Sequence, residues 1–148
     1  MTLQSHEDLE KLRAIGAIVR LSLEAMSKAA RPGMTTAELD AVCAATLDAH
    51  GAEASPAKVY AFPVTACISV NEEAVHGIPG ERRLADGDLV KCDVTAEKDG
   101  YVADAAVTLR IGRVGRQADA LARCAESAFR QGLAAARPGN RVRDIGRA

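Results

Sequence analysis

Apolar residues recur at helical spacing early in the chain. Leu9, Leu12, Ile15, Val19, Leu23 and Met26 predict one long amphipathic helix over residues 5–30. Ser5 with Asp8 reads as a capping box at its start, and Arg31-Pro32-Gly33 ends it. Thr35 with Glu38 is a second capping box. It opens a helix with Leu39, Val42, Cys43 and Leu47 on one face, stopped by Gly51 after His50. From Ala52 to Pro63 the period is lost, and Pro56 and Pro63 predict irregular chain. Val64 to Val70 predicts a short buried strand, followed by a loop, NEEAVHGIPGERRLADGD, rich in glycine and carrying His76. Alternation of period two then runs from Asp88 to Thr108. Gln117 to Ala136 predicts a last long helix with Leu121, Cys124, Ala128 and Leu133 inward.

The alternating stretch, DLVKCDVTAEKDGYVADAAVT, is broken only at Asp99-Gly100, a strong signal for a two-residue hairpin loop. Such a loop sets Lys98 opposite Tyr101 and Thr95 opposite Asp104. Asp93, two residues before Thr95, then projects from the same face, diagonal to Asp104 at roughly 7–8 Å between backbones. Val90, Cys92, Val94 and Ala96 fall on the other face, the expected core side. Aspartate is depleted in strands, so a face with two of them calls for a reason. Spacing alone leaves two open: a solvated face, or a carboxylate pair that holds hard or borderline divalent cations.

Composition narrows the class without naming a chemistry. The chain has 148 residues, a 48% hydrophobic and 26% charged composition and a formal net charge of −1, as expected of one ordinary globular domain over 1–148. That charge gives no global argument for binding nucleic acid or membrane. No apolar run is long enough to span a bilayer, and MTLQSHEDLEKL lacks a signal-peptide core. Cys43, Cys67, Cys92 and Cys124 are widely spaced without a CxxC, which predicts reduced thiols and a cytoplasmic protein. The arginines from Arg110 onward lack interleaved aromatics and read as a solvated face. His6 and His50 receive no role.

A short repeat suggests internal duplication. AARPGMTTAELDAV, Ala29 to Val42, recurs as AARPGNRVRDIGRA, Ala135 to Ala148, each copy following an amphipathic helix. The expectation is a two-fold pseudo-symmetric domain whose second pseudo-repeat begins near residue 124 and is cut off. The uncovered half-core would then favour self-association.

The residues CISVNEEAVHGIPG, Cys67 to Gly80, followed by DGDLVKCDVT and DGYVADAAVT, resemble the methionine aminopeptidases, most closely the bacterial type I group of pita-bread metallopeptidases. The resemblance covers essentially the whole chain. It implies an α+β fold, the first half of a pita-bread domain, with an antiparallel sheet covered by helices on one face. It implies that Asp93 and Asp104 are metal ligands and that His76 is the substrate-side histidine, with a catalytic role. Phe62, where other members have Tyr, and Cys67 would line the methionine pocket. The implied cofactors are two divalent metal ions per complete site, Co, Mn, Fe or Zn, which generate a hydroxide that attacks the first peptide bond. The implied substrates are the N-terminal Met peptides of nascent chains, with the ribosome a further partner and no membrane or nucleic acid required. The family's third metal-binding residue, a His, its second substrate His and its two glutamates lie in the other half. The tail after Ala136 has no His or Glu to replace them. The expectation is therefore a methionyl aminopeptidase chain that is catalytically incomplete. The alternative is a non-catalytic pita-bread-fold module for binding or assembly.

Overall fold

The computed structural model describes residues 3–148, which form two compact units, one ending at Arg113 and the other spanning Val114–Ala148. In the first, α1 (His6–Ala29) and α2 (Thr36–Ala49) precede β1 (Glu53–Ala54), α3 (Ser55–Tyr60), β2 (Cys67–Val70), β3 (Leu89–Lys98) and β4 (Tyr101–Arg110). All strand pairs are antiparallel, and β3 is the hub of the sheet. β4 pairs with β3 over its full length, so β2, at Val90–Asp93, and β1, at Ala96–Glu97, share the other edge.

Both helix starts are built as the sequence predicts. Ser5 Oγ accepts from Asp8 N and the Asp8 carboxylate accepts from Ser5 N, each at 3.0 Å. Thr35 and Glu38 repeat the arrangement at 3.0 and 2.7 Å. These caps satisfy backbone N–H groups that have no partner within the helix. The core follows from the two periodicities. Val90, Cys92, Val94 and Ala96 of β3 are all fully buried, in one cluster with Ile15, Val19 and Met26 of α1 and Leu39, Cys43 and Leu47 of α2. Each valine, leucine, isoleucine or methionine among them contributes roughly 1.5–3 kcal/mol by leaving water. Tyr101 ties the hairpin to the start of α1, its hydroxyl donating to Asp8 Oδ1 at 2.6 Å. That bond is the main reason the Asp8 carboxyl is held below its ordinary pKa.

Two predicted stretches differ. Residues 52–63, expected to be irregular, carry β1 and α3. Pro56 sits in the first turn of α3, where its missing N–H would have had no partner in any case. Ala61 ends the helix in the left-handed region at φ 52°. The strand expected over Val64–Val70 begins only at Cys67. Before it, the Asp40 carboxylate of α2 accepts from the N–H groups of Thr65, at 3.2 Å, and Ala66, at 2.7 Å. A side chain thus takes the bonds that a neighbouring strand would otherwise have made.

The second unit holds α4 (Arg116–Ala135) and α5 (Val142–Ile145). The helix matches the prediction but its buried face does not. Leu121 and Leu133 are 68% and 62% exposed, Cys124 and Ala128 are exposed, and Ala122 and Gly132 are the buried positions. The apolar stripe is present, but its large side chains are exposed.

The turn after each long helix is made alike. Ala30 N donates to Met26 O at 2.9 Å and Ala136 N to Gly132 O at 3.1 Å. Met34 N reaches Arg31 O at 3.3 Å, and Asn140 N reaches Arg137 O at 3.1 Å. Gly33 and Gly139 take φ 87° and 91°. Thr35 N and Arg141 N donate to the carboxylates of Glu38 and Asp144 at 2.7 and 2.8 Å. The displacement along the sequence is the same for every pair.

All four cysteines are free, and burial is the main cause that pushes Cys43 and Cys92 to about 12. Among the described residues, no helix is long and apolar enough to cross a membrane.

Candidate metal centre

The site starts from the hairpin loop. Asp99 and Gly100 have φ 54° and 83°, the two positive values that a type I′ loop requires. Glu97 Oε1 secures the loop by accepting from Gly100 N at 2.7 Å. The loop fixes the register: Lys98 faces Tyr101, Thr95 faces Asp104 and Asp93 faces Ala106. On the other edge of β3, Cys67 faces Asp93. Side chains alternate along a strand, so Cys67, Asp93, Thr95 and Asp104 share the face opposite the core. Thr95 Oγ1 donates to Asp104 Oδ1 at 2.9 Å.

A cleft of about 330 Å³ opens over this face. Pro56 and Tyr60 of α3, with Phe62 just after it, form an apolar wall; Thr65, Cys67, Asp93, Thr95 and Asp104 complete the lining with His76. All five residues singled out from sequence, Phe62, Cys67, His76, Asp93 and Asp104, therefore meet in one cavity. Tyr60 and Thr65 were not foreseen, because α3 and the Asp40 clamp leave no periodic trace. Thr95 was visible as the residue facing Asp104, but its bond was not.

His76 is delivered by a pinned loop and takes φ 58°, an uncommon backbone conformation for a side-chain-bearing residue. Its neighbour Gly77 accepts from Ile68 N at 2.9 Å and donates to Ser69 Oγ at 3.1 Å. The Lys91 ammonium donates to the Ala74 carbonyl. Arg82 closes the loop base on Glu72, at 3.2 Å, and Glu73, at 2.7 Å. Those glutamates are thus engaged in holding the loop, away from the cleft lining.

The electrostatics are those of crowded acids. Burial, then the negative charge of Asp104, then a hydrogen bond with Asp104 raise Asp93 above the ordinary carboxyl range, while Lys91 and His76 pull the other way. Burial, followed by the charges of Asp93 and Asp104, also raises the Cys67 thiol. A divalent cation between the two carboxylates would relieve this repulsion, and their oxygens suit hard or borderline ions. Among the described residues no group of three or more His, Cys, Asp and Glu comes together as a metal site.

The sequence profile of metallopeptidase family M24 matches residues 10–148. The chain belongs to this family. Methionine aminopeptidase 2 of Bacillus subtilis (strain 168) is 44% identical over the whole of this chain, which covers 60% of that protein. A methionine aminopeptidase of Staphylococcus epidermidis is 38% identical, again over the whole chain and 59% of its own length. The chain thus spans about 60% of the length of these curated relatives. The crystal structure of methionine aminopeptidase from Rickettsia prowazekii superposes with a TM-score of 0.85 at 28% identity, covering 90% of this chain and 54% of that one. Prolidase from Pyrococcus furiosus, 18% identical with a TM-score of 0.81, shares the fold over 97% of this chain and 41% of its own. The fold is accordingly the α+β pita-bread fold of M24 peptidases. M24 enzymes are metallopeptidases, and the paired carboxylates are oxygen donors of the kind that divalent ions require.

Proposed function

We propose that this chain is the metal-holding part of a methionine aminopeptidase of the bacterial type I group, which removes the initiator methionine from nascent proteins in the cytoplasm. The observation that carries the reading is the convergence of Asp93 and Asp104 with His76, Phe62 and Cys67 in one cleft. Relatives bearing that enzyme's name match the full length of the chain.

In this reading Asp93 and Asp104 hold two divalent ions, of cobalt, manganese, iron or zinc, together with ligands beyond these two. When bound, such ions supply Lewis acidity, lowering the pKa of a water towards neutrality and polarising the scissile carbonyl. The chain's own side chains do the rest of the work available to them. His76, held at the cleft by the pinned loop, donates a hydrogen bond to the peptide group being cleaved and steadies its leaving side. Phe62 and the Cys67 thiol form an apolar, polarisable recess that suits a thioether. The volume is at the small end of the roughly 300–1,000 Å³ typical of ligand pockets, as fits one side chain of a peptide terminus.

The turn shared by α1–α2 and α4–α5 supports a duplicated architecture in which the second pseudo-repeat, beginning near residue 124, is represented only by its opening helices. Leu121, Phe129 and Leu133, all more than 60% exposed, support self-association of these 148 residues through that uncovered face. Contact with the ribosome follows only from the proposed substrates.

A second reading is favoured by one observation, that among the described residues no third His, Cys, Asp or Glu joins the pair as a metal-holding group. The 148 residues then act as a non-catalytic binding or assembly module. The deciding experiment measures metal-dependent release of methionine from a Met-Ala-Ser peptide by the purified chain, with Asp104→Ala as control. No release by these residues alone, with release once a second half from a relative is appended and its loss on Asp104→Ala, supports the enzyme reading. No release in either form supports the module.

A further inference from the structure

We propose that Thr95 is a positioning residue for the Asp104 carboxylate, holding it in the orientation that receives a divalent cation; this rests on the metal reading above. Apart from a side-chain hydrogen bond with Asp93, little on β4 restrains Asp104. It lies exposed on β4, flanked by Ala103 and Ala105 and followed on its own face by Ala106, none of which can wall in its side chain. The described strands give β4 no partner but β3. Its own strand thus does little to fix the rotamer, and a mobile ligand loses conformational entropy on binding an ion.

Thr95 supplies the missing restraint. It faces Asp104 directly, in a pair three steps from the Lys98–Tyr101 closing pair, beyond Glu97–Val102 and Ala96–Ala103. Counting from that closing pair, Thr95 and Asp104 fall at a non-hydrogen-bonded position, where side chains approach closest. The hydroxyl then donates to Asp104 Oδ1 at 2.9 Å. Threonine suits the task because its branched Cβ is stiff in a strand, so the hydroxyl is presented with little freedom of its own. The bond occupies one lone pair of Oδ1 and makes no demand on Oδ2, so Thr95 aims Asp104 without using it up. The cleft lining has the same polarity: Thr95 lies between Asp93 and Glu97 along β3 and shares the cavity with both aspartates.

The test is binding of Mn²⁺ to the full 148-residue chain, followed by water-proton relaxation, which detects weak complexes. The parent is compared with Thr95→Val, Thr95→Ser and Asp104→Asn, each checked by far-UV circular dichroism. Outer partners of metal ligands are typically worth about 10–100-fold in affinity, and loss of the single hydroxyl is expected at about tenfold. Thr95→Ser, which keeps the donor, should stay near the parent, whereas a purely structural role for the methyl group would make serine the worse variant. Should the valine chain not fold, Thr95→Ala replaces it in the same comparison. Parent-like binding by Thr95→Val alongside loss in Asp104→Asn overturns the role of Thr95 and leaves the metal reading standing. A parent that binds no better than Asp104→Asn overturns the metal reading and this inference with it.

Discussion

Replacing Gly77 by alanine would test how His76 is delivered to the cleft. A Cβ on Gly77 would lie 2.3 Å from the carbonyl oxygen of Ile68, 2.8 Å from its carbon and 2.9 Å from Cα of Ser69. All three are backbone atoms of β2, which is paired to β3, so no rotamer change can make room. Gly77 is absent from the positive-φ positions, so the cost is steric and not conformational. The chain then has two ways to respond. Keeping the loop docked means overpacking, typically about 1–3 kcal/mol. Letting it lift away breaks the bonds from Ile68 N, at 2.9 Å, and to Ser69 Oγ, at 3.1 Å. At about 1 kcal/mol net for each bond, the second route costs about 2 kcal/mol, and it also strands the buried Ser69 hydroxyl. The two routes converge on a loss of about 2 kcal/mol. Urea unfolding followed by tyrosine fluorescence reads it cleanly, because Tyr60 and Tyr101 both lie in the first unit and the chain has no Trp. With a slope of about 2 kcal/mol/M, the midpoint should fall by about 1 M. A midpoint within about 0.2 M of the parent, at unchanged slope, would refute the argument that the loop is pinned by backbone contact with β2.

The other expectations concern carboxylates. Asp93 has a raised pKa, so the native state binds its proton more tightly than the unfolded chain does, and stability should fall as pH rises from 3.8 through the raised value. Asp93→Asn should therefore melt at a higher temperature than the parent near neutral pH and lose the advantage in acid; a lower melting temperature at pH 7 would show the carboxylate to be stabilising. Asp40→Ala removes the acceptor for Thr65 and Ala66, with an expected cost of about 2 kcal/mol. Amide exchange should accelerate at those two residues and on the cleft wall they support. Unchanged protection there would mean that the clamp does not hold the segment.

How far the sequence could be read depends on the range of the interactions involved. The hairpin is local: a loop of two residues and a period of two determine every facing pair from Lys98–Tyr101 to Leu89–Arg110. The two aspartates could therefore be set on one face without any knowledge of the rest of the fold. The capping boxes at Ser5 and Thr35 are equally local. The cleft wall is not. Whether Val64–Ala66 extends β2 is decided by Asp40, a residue 25 positions away on α2, and nothing in the segment itself records that competition. α3 escaped notice because its Pro56 counts as a breaker in a helix interior but is neutral in the first turn. His76 was legible as a loop histidine, and its family resemblance gave it a role. Its left-handed backbone and the packing of Gly77 against β2 are features that only the structure reveals.

The wrongly assigned face of α4 has a physical lesson of its own. Period gives the direction of an apolar stripe, not the presence of anything to cover it. Aligning the two turns places Leu121, Phe129 and Ile145 at the positions of Ile15, Leu23 and Leu39. In the first unit these are 0%, 6% and 0% exposed; in the second they are 68%, 69% and 40% exposed. The same helix-turn-helix geometry thus presents large apolar side chains in both units, but only the first has a sheet among its described residues. Similar spacing of apolar residues thus goes with burial in the first unit and exposure in the second. In the proposed metal reading Asp93 and Asp104 would need partners too, because two carboxylates alone leave most of a divalent ion's coordination unfilled.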